Sequence, residues 1–350
     1  MQQSEEQSFL RAIYRGDRPG RNAYIATYGE SPYRIARHGD YSSGTLALER
    51  AKEQILADYE LQQECHERLG DDAVPYAKMI TGTQLMAHAF GAEVEQLPDQ
   101  MPFARPIVAD AEGAKSIRAP RVEDARPLMR VRELADSLTA TLGPEVPLGP
   151  PDMQTGFDTA CLLWAKDDLL VSLYDEDAAA VVEWLAGECA ALLAEFLAAL
   201  RDQFPQMSPC HCPTVWAPPE MGPWVSNDES GTIGREHYDR FCHPELVSLS
   251  ERFGGIGTHC CADAEHQFSR FQETPDWYAF NRVAGQKGYG SLCEHFPAEA
   301  PAPALVFGWV GEEDQRMLED HFGRDGRLIF HRSFPTYDEA ARWLEWSRTS

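Results

Sequence analysis

His259 and Cys261 end a short apolar stretch of the sequence, GGIGTHCC at 254–261. In an extended chain, residues i and i+2 point to the same face, so both side chains can enter one cleft while Cys260 points into the protein. Imidazole and thiolate together suit Zn²⁺, and a catalytic zinc has three protein ligands and one position open to substrate. The pair therefore predicts two of three metal ligands. The competing interpretation is a buried strand end with a neutral histidine and two core thiols.

The third metal ligand has to come from another part of the chain. His331 ends a second apolar stretch, RLIFHR at 327–332, and imidazole is a common zinc ligand. We predict His259, Cys261 and His331 as the metal site. The spacing leaves other donors open, namely Cys293 and the three residues of the sequence CHC, Cys210, His211 and Cys212.

Three further polar residues follow extended segments. Asp228 follows GPWVSN and precedes a glycine turn, where a carboxylate could be a general base or the start of an Asx-turn. Asp152 and Gln154 are again two residues apart, in GPPDMQ, and could hold a substrate or cap the helix that follows. We predict Asp228 as a catalytic residue and Asp152 with Gln154 as substrate-binding residues.

The elements that must position these residues are short apolar strands, each followed by a helix. GGIGTHC (254–260), ALVFGWV (304–310) and RLIFHR (327–332) are of this kind. Such βα units form a parallel sheet. For 350 residues without a Pro/Gly/Ser linker, we predict one α/β domain, a (βα)8 TIM-type barrel at 73–350 preceded by a mainly helical N-terminal extension at 1–72. Its active site would lie at the carboxyl ends of the strands, where all the candidate residues fall.

The composition argues against several classes of partner. The chain has 56 acidic and 31 basic residues, and its net charge of −25 repels nucleic acids and anionic membranes. The most apolar stretch, residues 178–200, carries glutamates and helical periodicity, which predicts a packed helix rather than a membrane span. No signal peptide is visible and nine cysteines indicate reduced thiols, so we expect a cytoplasmic protein. No dinucleotide or P-loop motif is present, so no nucleotide cofactor is expected.

Three longer segments, in their order and spacing, resemble the uroporphyrinogen decarboxylase superfamily, whose members fold as βα barrels. They are VPYAKMITGTQLMAHAFGAEV (74–94), GPPDMQTGFDTACLLWAKDDLLVSLYDEDAAAVVEWL (149–185) and NDESGTIGREHYDRFCHPELVSLSERFGGIGTHCC (227–261). The resemblance runs over most of the chain, from residue 9 to residue 346. It implies the same barrel fold.

The chain departs from the true decarboxylases of that superfamily. Those enzymes place a catalytic aspartate in the segment that aligns with KMITGTQLMAHAFG, where this chain has Gly82 or its neighbours and no carboxylate. They also have an arginine-rich N-terminal motif that grips propionate groups, of which this chain keeps Arg21 and Arg34 but not the pattern. Porphyrinogen decarboxylation is therefore not expected.

A second branch of the superfamily is the more similar one. Its members are methyltransferases that act with methylated corrinoid proteins and hold zinc through an H-x-C pair and a later cysteine. His259 and Cys261 match the pair, whereas the segment RLIFHRSFPT has His331 in place of the cysteine. The resemblance implies a zinc-dependent methyl transfer from a methylcorrinoid on a partner protein to a small thiol acceptor.

Two other functions stay open at this stage. The first is a metal-independent decarboxylase or lyase that acts on a non-porphyrin carboxylic acid, with Asp228 handling the proton. The second is a non-catalytic protein that binds a small molecule at the mouth of the barrel.

Overall fold

A parallel sheet of six strands forms the centre of the computed structural model, which describes residues 4–29, 45–95, 102–283, 285–298 and 303–349. The strands of the described chain are β1 (Ala23–Tyr28), β2 (Ala77–Lys78), β3 (Val94–Glu95), β4 (Phe103–Ala104), β5 (Leu148–Gly149), β6 (Trp224–Ser226), β7 (Ile256–Cys260), β8 (Trp277–Arg282), β9 (Ala304–Gly308) and β10 (Leu328–Phe334). The helices are α1 (Glu5–Arg15), α2 (Thr45–Leu69), α3 (Leu85–Ala89), α4 (Ala111–Ala114), α5 (Arg126–Leu142), α6 (Gly156–Leu163), α7 (Lys166–Ser172), α8 (Glu176–Gln203), α9 (Arg235–Phe241), α10 (His243–Phe253), α11 (Phe268–Phe271), α12 (Gly290–His295), α13 (Glu312–Phe322) and α14 (Tyr337–Thr349).

The six central strands lie in the order β1-β10-β9-β8-β7-β6, and every neighbouring pair is parallel. β2 and β5 form a separate parallel pair, and β3 and β4 form an antiparallel pair. A single bridge between Gln154 and Ser226 brings the segment after β5 against β6. The α/β class predicted from the sequence is therefore confirmed. Closure of these strands into an eight-stranded barrel stays a prediction.

β1 is part of the central sheet, although it lies in the segment predicted as a helical extension. It pairs with β10 along its whole length. The buried carboxylates of Asp71 and Asp72, just after α2, accept the backbone N–H groups of Ala26 and Tyr24 in this strand. The first 72 residues thus supply an edge strand of the sheet, together with helices α1 and α2.

The strands are apolar because helices cover the sheet. Every residue of β7, β8 and β9 is buried, which is typical of parallel sheets with both faces covered. Gly257 in β7 lies opposite Trp224 in β6, and a Cβ at Gly257 would lie 2.3 Å from the indole ring. Only glycine therefore allows the tryptophan to pack against β7.

None of the described helices is long and apolar enough to cross a lipid bilayer. The apolar stretch at 178–200 lies inside α8, a helix of 28 residues. Its buried residues recur at helical spacing and pack against α6 and the rest of the core. The prediction of a packed helix for this stretch is confirmed.

The carboxyl ends of the parallel strands form one edge of the sheet. The register there aligns Ser226 in β6, His259 in β7, Asn281 in β8 and Val306 in β9 in a single row. Because neighbouring strands lie about 4.8 Å apart, side chains in such a row can contact one another. Most of the polar residues described below lie in this row or just beyond it.

Candidate metal centre

β7 brings two of the predicted ligands to the carboxyl edge of the sheet. His259 is in the strand and only 7% exposed, and Cys261 follows the strand directly and is exposed. Cys260, between them, is fully buried, and burial raises the pKa of its thiol to about 12. The alternation predicted from the spacing of these residues is therefore present.

Asp228 joins this pair from the neighbouring strand. It lies just beyond β6, and its Oδ1 accepts the backbone N–H of Cys261 at 2.6 Å. The same oxygen is 3.8 Å from Nε2 of His259. The carboxylate thus links the ends of β6 and β7.

Asp158, in α6, holds the loop that carries Asp228. Its side chain is buried, and its two oxygens accept the backbone N–H groups of Asp228 at 2.7 Å and Glu229 at 3.1 Å. Burial raises the pKa of Asp158 well above its ordinary value, and the charges of Asp228 and Glu229 raise it further. The two hydrogen bonds fix the backbone of Asp228 and so the direction of its side chain.

Asp228, His259 and Cys261 form the one group of three potential metal ligands found in the described part of the chain. Each offers one ligand atom, and the three atoms lie within 4.8 Å of one another. Carboxylate oxygen, imidazole nitrogen and thiolate sulfur are all donors that bind Zn²⁺, and three protein ligands leave a position open. The donor set therefore fits zinc, with Asp228 as the third group.

His331 is not in this group, so the structure does not support it as the third ligand. It lies in β10, three strands from β7 in the sheet order, which is on the order of 14 Å along the sheet. Its side chain lines a separate small cavity with Gln62, Tyr76 and Trp216. Burial, and then the charge of Lys78, lower the pKa of His331 to about 4, so this imidazole is neutral near pH 7.

The other donors considered from the sequence also lie outside the group of three. Cys210 is fully buried, and burial raises the pKa of its thiol to about 12. Cys293 is half-buried in α12. Cys212 is also outside the group, but it lies next to it, because its thiol interacts with the imidazole of His259 by charge and by hydrogen bonding.

Opposing effects act on the two groups that β7 supplies. Burial lowers the pKa of His259, but the Cys212 and Cys261 thiols and the Asp228 carboxylate raise it by more, to well above its ordinary value. The hydrogen bond to His259 lowers the pKa of the Cys261 thiol, while desolvation of the sulfur by the atoms around it and the interaction with Asp228 together raise it by more. The imidazole thus lies among groups that stabilise positive charge, as a cation site requires.

Asp152 and Gln154, the predicted substrate-binding pair, lie beside this centre and contact each other. Nε2 of Gln154 donates to Oδ1 of Asp152 at 2.5 Å. His211 adjoins them, with its Nδ1 3.9 Å from the same carboxylate oxygen and its Nε2 3.4 Å from the hydroxyl of Ser226. The ring of His211 is centred 6.1 Å from that of His259. Asp152, Gln154 and His211 are called the polar cluster below.

The polar cluster is buried enough to shift both of its titratable groups. Burial raises the pKa of Asp152, although the hydrogen bond from Gln154 and the charge of His259 lower it in part. Burial lowers the pKa of His211 well below its ordinary value, and His259 lowers it further. The cluster therefore places a neutral imidazole next to a carboxyl group of raised pKa.

Two residues of the site are absent from the sequence predictions. Asn281 places its Oδ1 2.6 Å from Nδ1 of His259, and Asp158 binds the backbone of Asp228. A signal for Asn281 exists, since it is a polar residue near the end of the apolar strand WYAFNR. Asp158 lies inside a helical segment, and nothing in its local sequence marks it as the partner of a distant loop.

Comparison with known proteins agrees with the architecture. No protein-family profile and no curated protein sequence matches the chain. Among solved structures, a methyltransferase from Methanosarcina mazei superposes with a TM-score of 0.64, over 98% of both chains and at 14% sequence identity. At this identity the similarity establishes a shared fold.

Proposed function

We propose that this protein is a zinc-dependent methyltransferase that moves a methyl group from a methylcorrinoid, carried by a partner protein, to a small thiol acceptor. The observation that carries the proposal is the group of Asp228, His259 and Cys261 at the carboxyl edge of a parallel sheet. The fold shared with a methyltransferase supports the reaction class. The donor and acceptor classes come from the resemblance to the corrinoid-dependent branch of the uroporphyrinogen decarboxylase superfamily.

His259, Cys261 and Asp228 would hold the metal. Zn²⁺, when bound there, supplies a Lewis acid that lowers the pKa of an acceptor thiol, so that a thiolate exists at neutral pH. Cys261 and Asp228 would be anionic ligands, and their charge would keep the acceptor sulfur electron-rich. Asp158 keeps Asp228 within reach of the other two ligands through its hydrogen bonds to the loop.

The polar cluster would bind the acceptor beside the ligand group. In the transfer, the acceptor S–H loses its proton, and the sulfur forms a bond to the methyl carbon. The cobalt–carbon bond of the donor breaks, and its electron pair stays with the corrinoid. Asp152 is the carboxylate next to, but outside, the ligand group, so it would take the proton, while Gln154 and His211 would orient the acceptor.

A metal-independent decarboxylase or lyase is the second candidate. The observation that favours it is the 3.8 Å approach of Asp228 to Nε2 of His259. An imidazole whose pKa is raised can deliver a proton to a carbanion without a metal, and the carboxylate would hold it in place. In this function Asp228 and His259 matter and the thiol of Cys261 does not.

Zinc content and methyl transfer test the two functions together. The protein is purified without added metal, its zinc is measured by elemental analysis, and transfer from methylcobalamin to dithiothreitol is followed. We expect about one zinc per chain and measurable transfer, both lost in Cys261→Ala. Cys293→Ala is the matched control, because this thiol lies outside the ligand group and should leave zinc and transfer unchanged.

The outcomes separate the candidates. Wild-type protein without stoichiometric zinc, combined with unchanged transfer in Cys261→Ala, would overturn the methyltransferase proposal. A blank metal analysis in which Asp228→Asn removes lyase activity and Cys261→Ala does not would establish the second candidate. Stabilisation by a small molecule without any turnover would instead indicate a non-catalytic binding protein.

A further inference from the structure

Asn281 connects the metal centre to the interior of the sheet. It lies in β8, is fully buried, and its side chain bridges the two neighbouring strands. Its Oδ1 is 2.6 Å from Nδ1 of His259 in β7, and its Nδ2 donates to the carbonyl of Val306 in β9 at 2.6 Å. Both contacts are at the short end of the range for hydrogen bonds, so the carboxamide is held on both sides.

The two partners determine which end of the carboxamide faces the histidine. A backbone carbonyl can only accept a hydrogen bond, so the amide nitrogen of Asn281 has to face Val306 and the oxygen has to face His259. That oxygen can accept only from a protonated Nδ1. A neutral His259 therefore carries its proton on Nδ1, which leaves the lone pair on Nε2.

Nε2 is the nitrogen on the side of the other ligands, 3.8 Å from Oδ1 of Asp228. We propose that Asn281 is a positioning residue that keeps His259 in its Nδ1-protonated form and directs Nε2 at the metal. Hydrogen bonds of this kind to a ligating histidine set its tautomer and its basicity. The effect on the metal rests on the proposed function, whereas the effect on the tautomer does not.

His211 provides a comparison, because it is a buried histidine of the same region that has no partner like Asn281 among the described residues. Its nitrogens are 3.9 Å from Asp152 and 3.4 Å from Ser226, both longer than the 2.6 Å contact between His259 and Asn281. Among the residues that the structure describes, no hydrogen bond of comparable length fixes the ring of His211. The short bond thus distinguishes the histidine in the ligand group from its neighbour.

Zinc affinity gives the first test. The Zn²⁺ dissociation constant is measured by competition with a chromophoric chelator for wild-type protein, Asn281→Ala and Asn281→Asp. We expect Asn281→Ala to bind zinc about 10- to 100-fold more weakly. Asn281→Asp keeps an oxygen that accepts from Nδ1 but loses the donor to the carbonyl of Val306, so it should lower stability and still bind zinc more tightly than Asn281→Ala does.

Asn22→Ala is the matched control. Asn22 is also fully buried and also bridges two segments, since its Nδ2 donates to the carbonyl of Gly323 at 3.1 Å and its Oδ1 accepts from the N–H of Leu328 at 3.2 Å. It precedes β1 and so lies at the amino edge of the sheet, opposite the metal centre. Its loss should lower stability without weakening zinc binding.

The tautomer gives the second test and needs no metal. Two-dimensional ¹H–¹⁵N spectra of the imidazole groups are recorded on metal-free protein, at alkaline pH where His259 is neutral. Wild-type protein should show His259 protonated on Nδ1, and Asn281→Ala should shift it towards the Nε2-protonated form. Asn281→Asp should keep the wild-type form.

Zinc affinity and the His259 tautomer test different parts of the proposal, so either can fail without the other. Wild-type protein that binds no zinc but has His259 protonated on Nδ1 would overturn the proposed metal centre and support the role of Asn281 in the tautomer. Zinc binding that Asn281→Ala and Asn22→Ala weaken equally, with an unchanged tautomer in both, would overturn the role of Asn281.

Discussion

His259 and His331 occupy the same position in two strands but have opposite surroundings. Each is the fourth residue of a parallel strand, β7 and β10 respectively. Thiols and a carboxylate raise the pKa of His259 well above its ordinary value, whereas burial lowers the pKa of His331 to about 4. The surroundings of His259 favour a bound cation or proton, whereas those of His331 keep its imidazole neutral.

The difference comes from the neighbouring strands and not from the strand that carries the histidine. His259 lies level with Ser226 and Asn281, and Asp228 follows one of these strands. His331 lies level with Gly308 and Ile25, which offer no charged group. A histidine near the end of an apolar strand is therefore a candidate ligand only when the adjacent strands end in polar residues.

The largest effect is expected when each of the two histidines is replaced by alanine in a separate variant. His259→Ala should lose zinc and lower methyl transfer by at least about 10³-fold, because a bound metal supplies several kcal/mol of stabilisation to the reaction. His331→Ala should keep about one zinc per chain. Elemental analysis and transfer from methylcobalamin measure both, and equal loss of zinc in the two variants would contradict the assignment.

Sequence patterns predict two of the three residues in this group as metal ligands, but they do not show which other side chain lies next to them. Alternation along a strand was enough to separate His259 and Cys261 from Cys260, because it depends only on local geometry. The sequence predicts Asp228 as a catalytic residue, and nothing local shows that its carboxylate also reaches the end of β7. His331, predicted as the third ligand, lies outside the group of three, because strand order and register, which separate β10 from β7, depend on the whole fold.

The same limit applies to the fold. Apolar strands followed by helices were sufficient to predict the α/β class and a parallel sheet. The place of β1 at the edge of that sheet was missed, because its pairing with β10 joins residues about 300 positions apart in the chain. Contacts that depend on such distant pairing leave little local signal in the sequence: Asp158 has none, and Asn281 has only its place near the end of an apolar strand.

Acid denaturation tests the lowered pKa of His331, the histidine that is kept neutral. His331 has a pKa of about 4 in the folded state and about 6.5 in the unfolded state. It therefore does not change the free energy of unfolding above pH 6.5, and it lowers that free energy as the pH falls from 6.5 to 4. The cost is at most about 3 kcal/mol. Urea denaturation at pH 7 and pH 4.5 should show that His331→Gln loses less stability on acidification than wild-type protein does. Identical losses would mean that His331 does not have a lowered pKa.

Asp158→Asn tests whether the loop that carries Asp228 has to be held in place for zinc to bind beside His259. The amide places an NH₂ where an oxygen accepted a backbone N–H, so one hydrogen bond to the loop of Asp228 is lost. We expect a loss of about 1–2 kcal/mol in the free energy of unfolding and about tenfold weaker zinc binding. Urea denaturation and chelator competition measure the two effects.

Glu245→Gln is the control for this prediction. Glu245, on α10, is another carboxylate that accepts a backbone N–H, but its partner is Gly156 at the start of α6, at 2.8–2.9 Å. Its substitution should lower stability and leave zinc affinity within about twofold. A similar loss of zinc affinity in both variants would mean that Asp158 acts through the general stability of α6.

A third histidine gives the smallest effect and the opposite pH dependence. His66, near the end of α2, lies 2.8 Å from the buried carboxylate of Asp71, whose hydrogen bond and charge raise the imidazole pKa despite partial burial. The pair stabilises the fold fully below the unfolded pKa of about 6.5 and less as pH rises through the raised folded value. His66→Ala should therefore cost up to about 1 kcal/mol at pH 6 and less at pH 9, measured by urea denaturation.

The reason the effect stays small is that Asp71 keeps its other partners. Its oxygens also accept the backbone N–H groups of Ala26 and Ala73, so the carboxylate is not left unpaired when the imidazole is removed. His331→Gln and His66→Ala should consequently change the pH profile of stability in opposite directions, the first on the acid side and the second on the alkaline side. If both changed it in the same direction, the charge of the adjacent groups would not be what distinguishes the histidines of this protein.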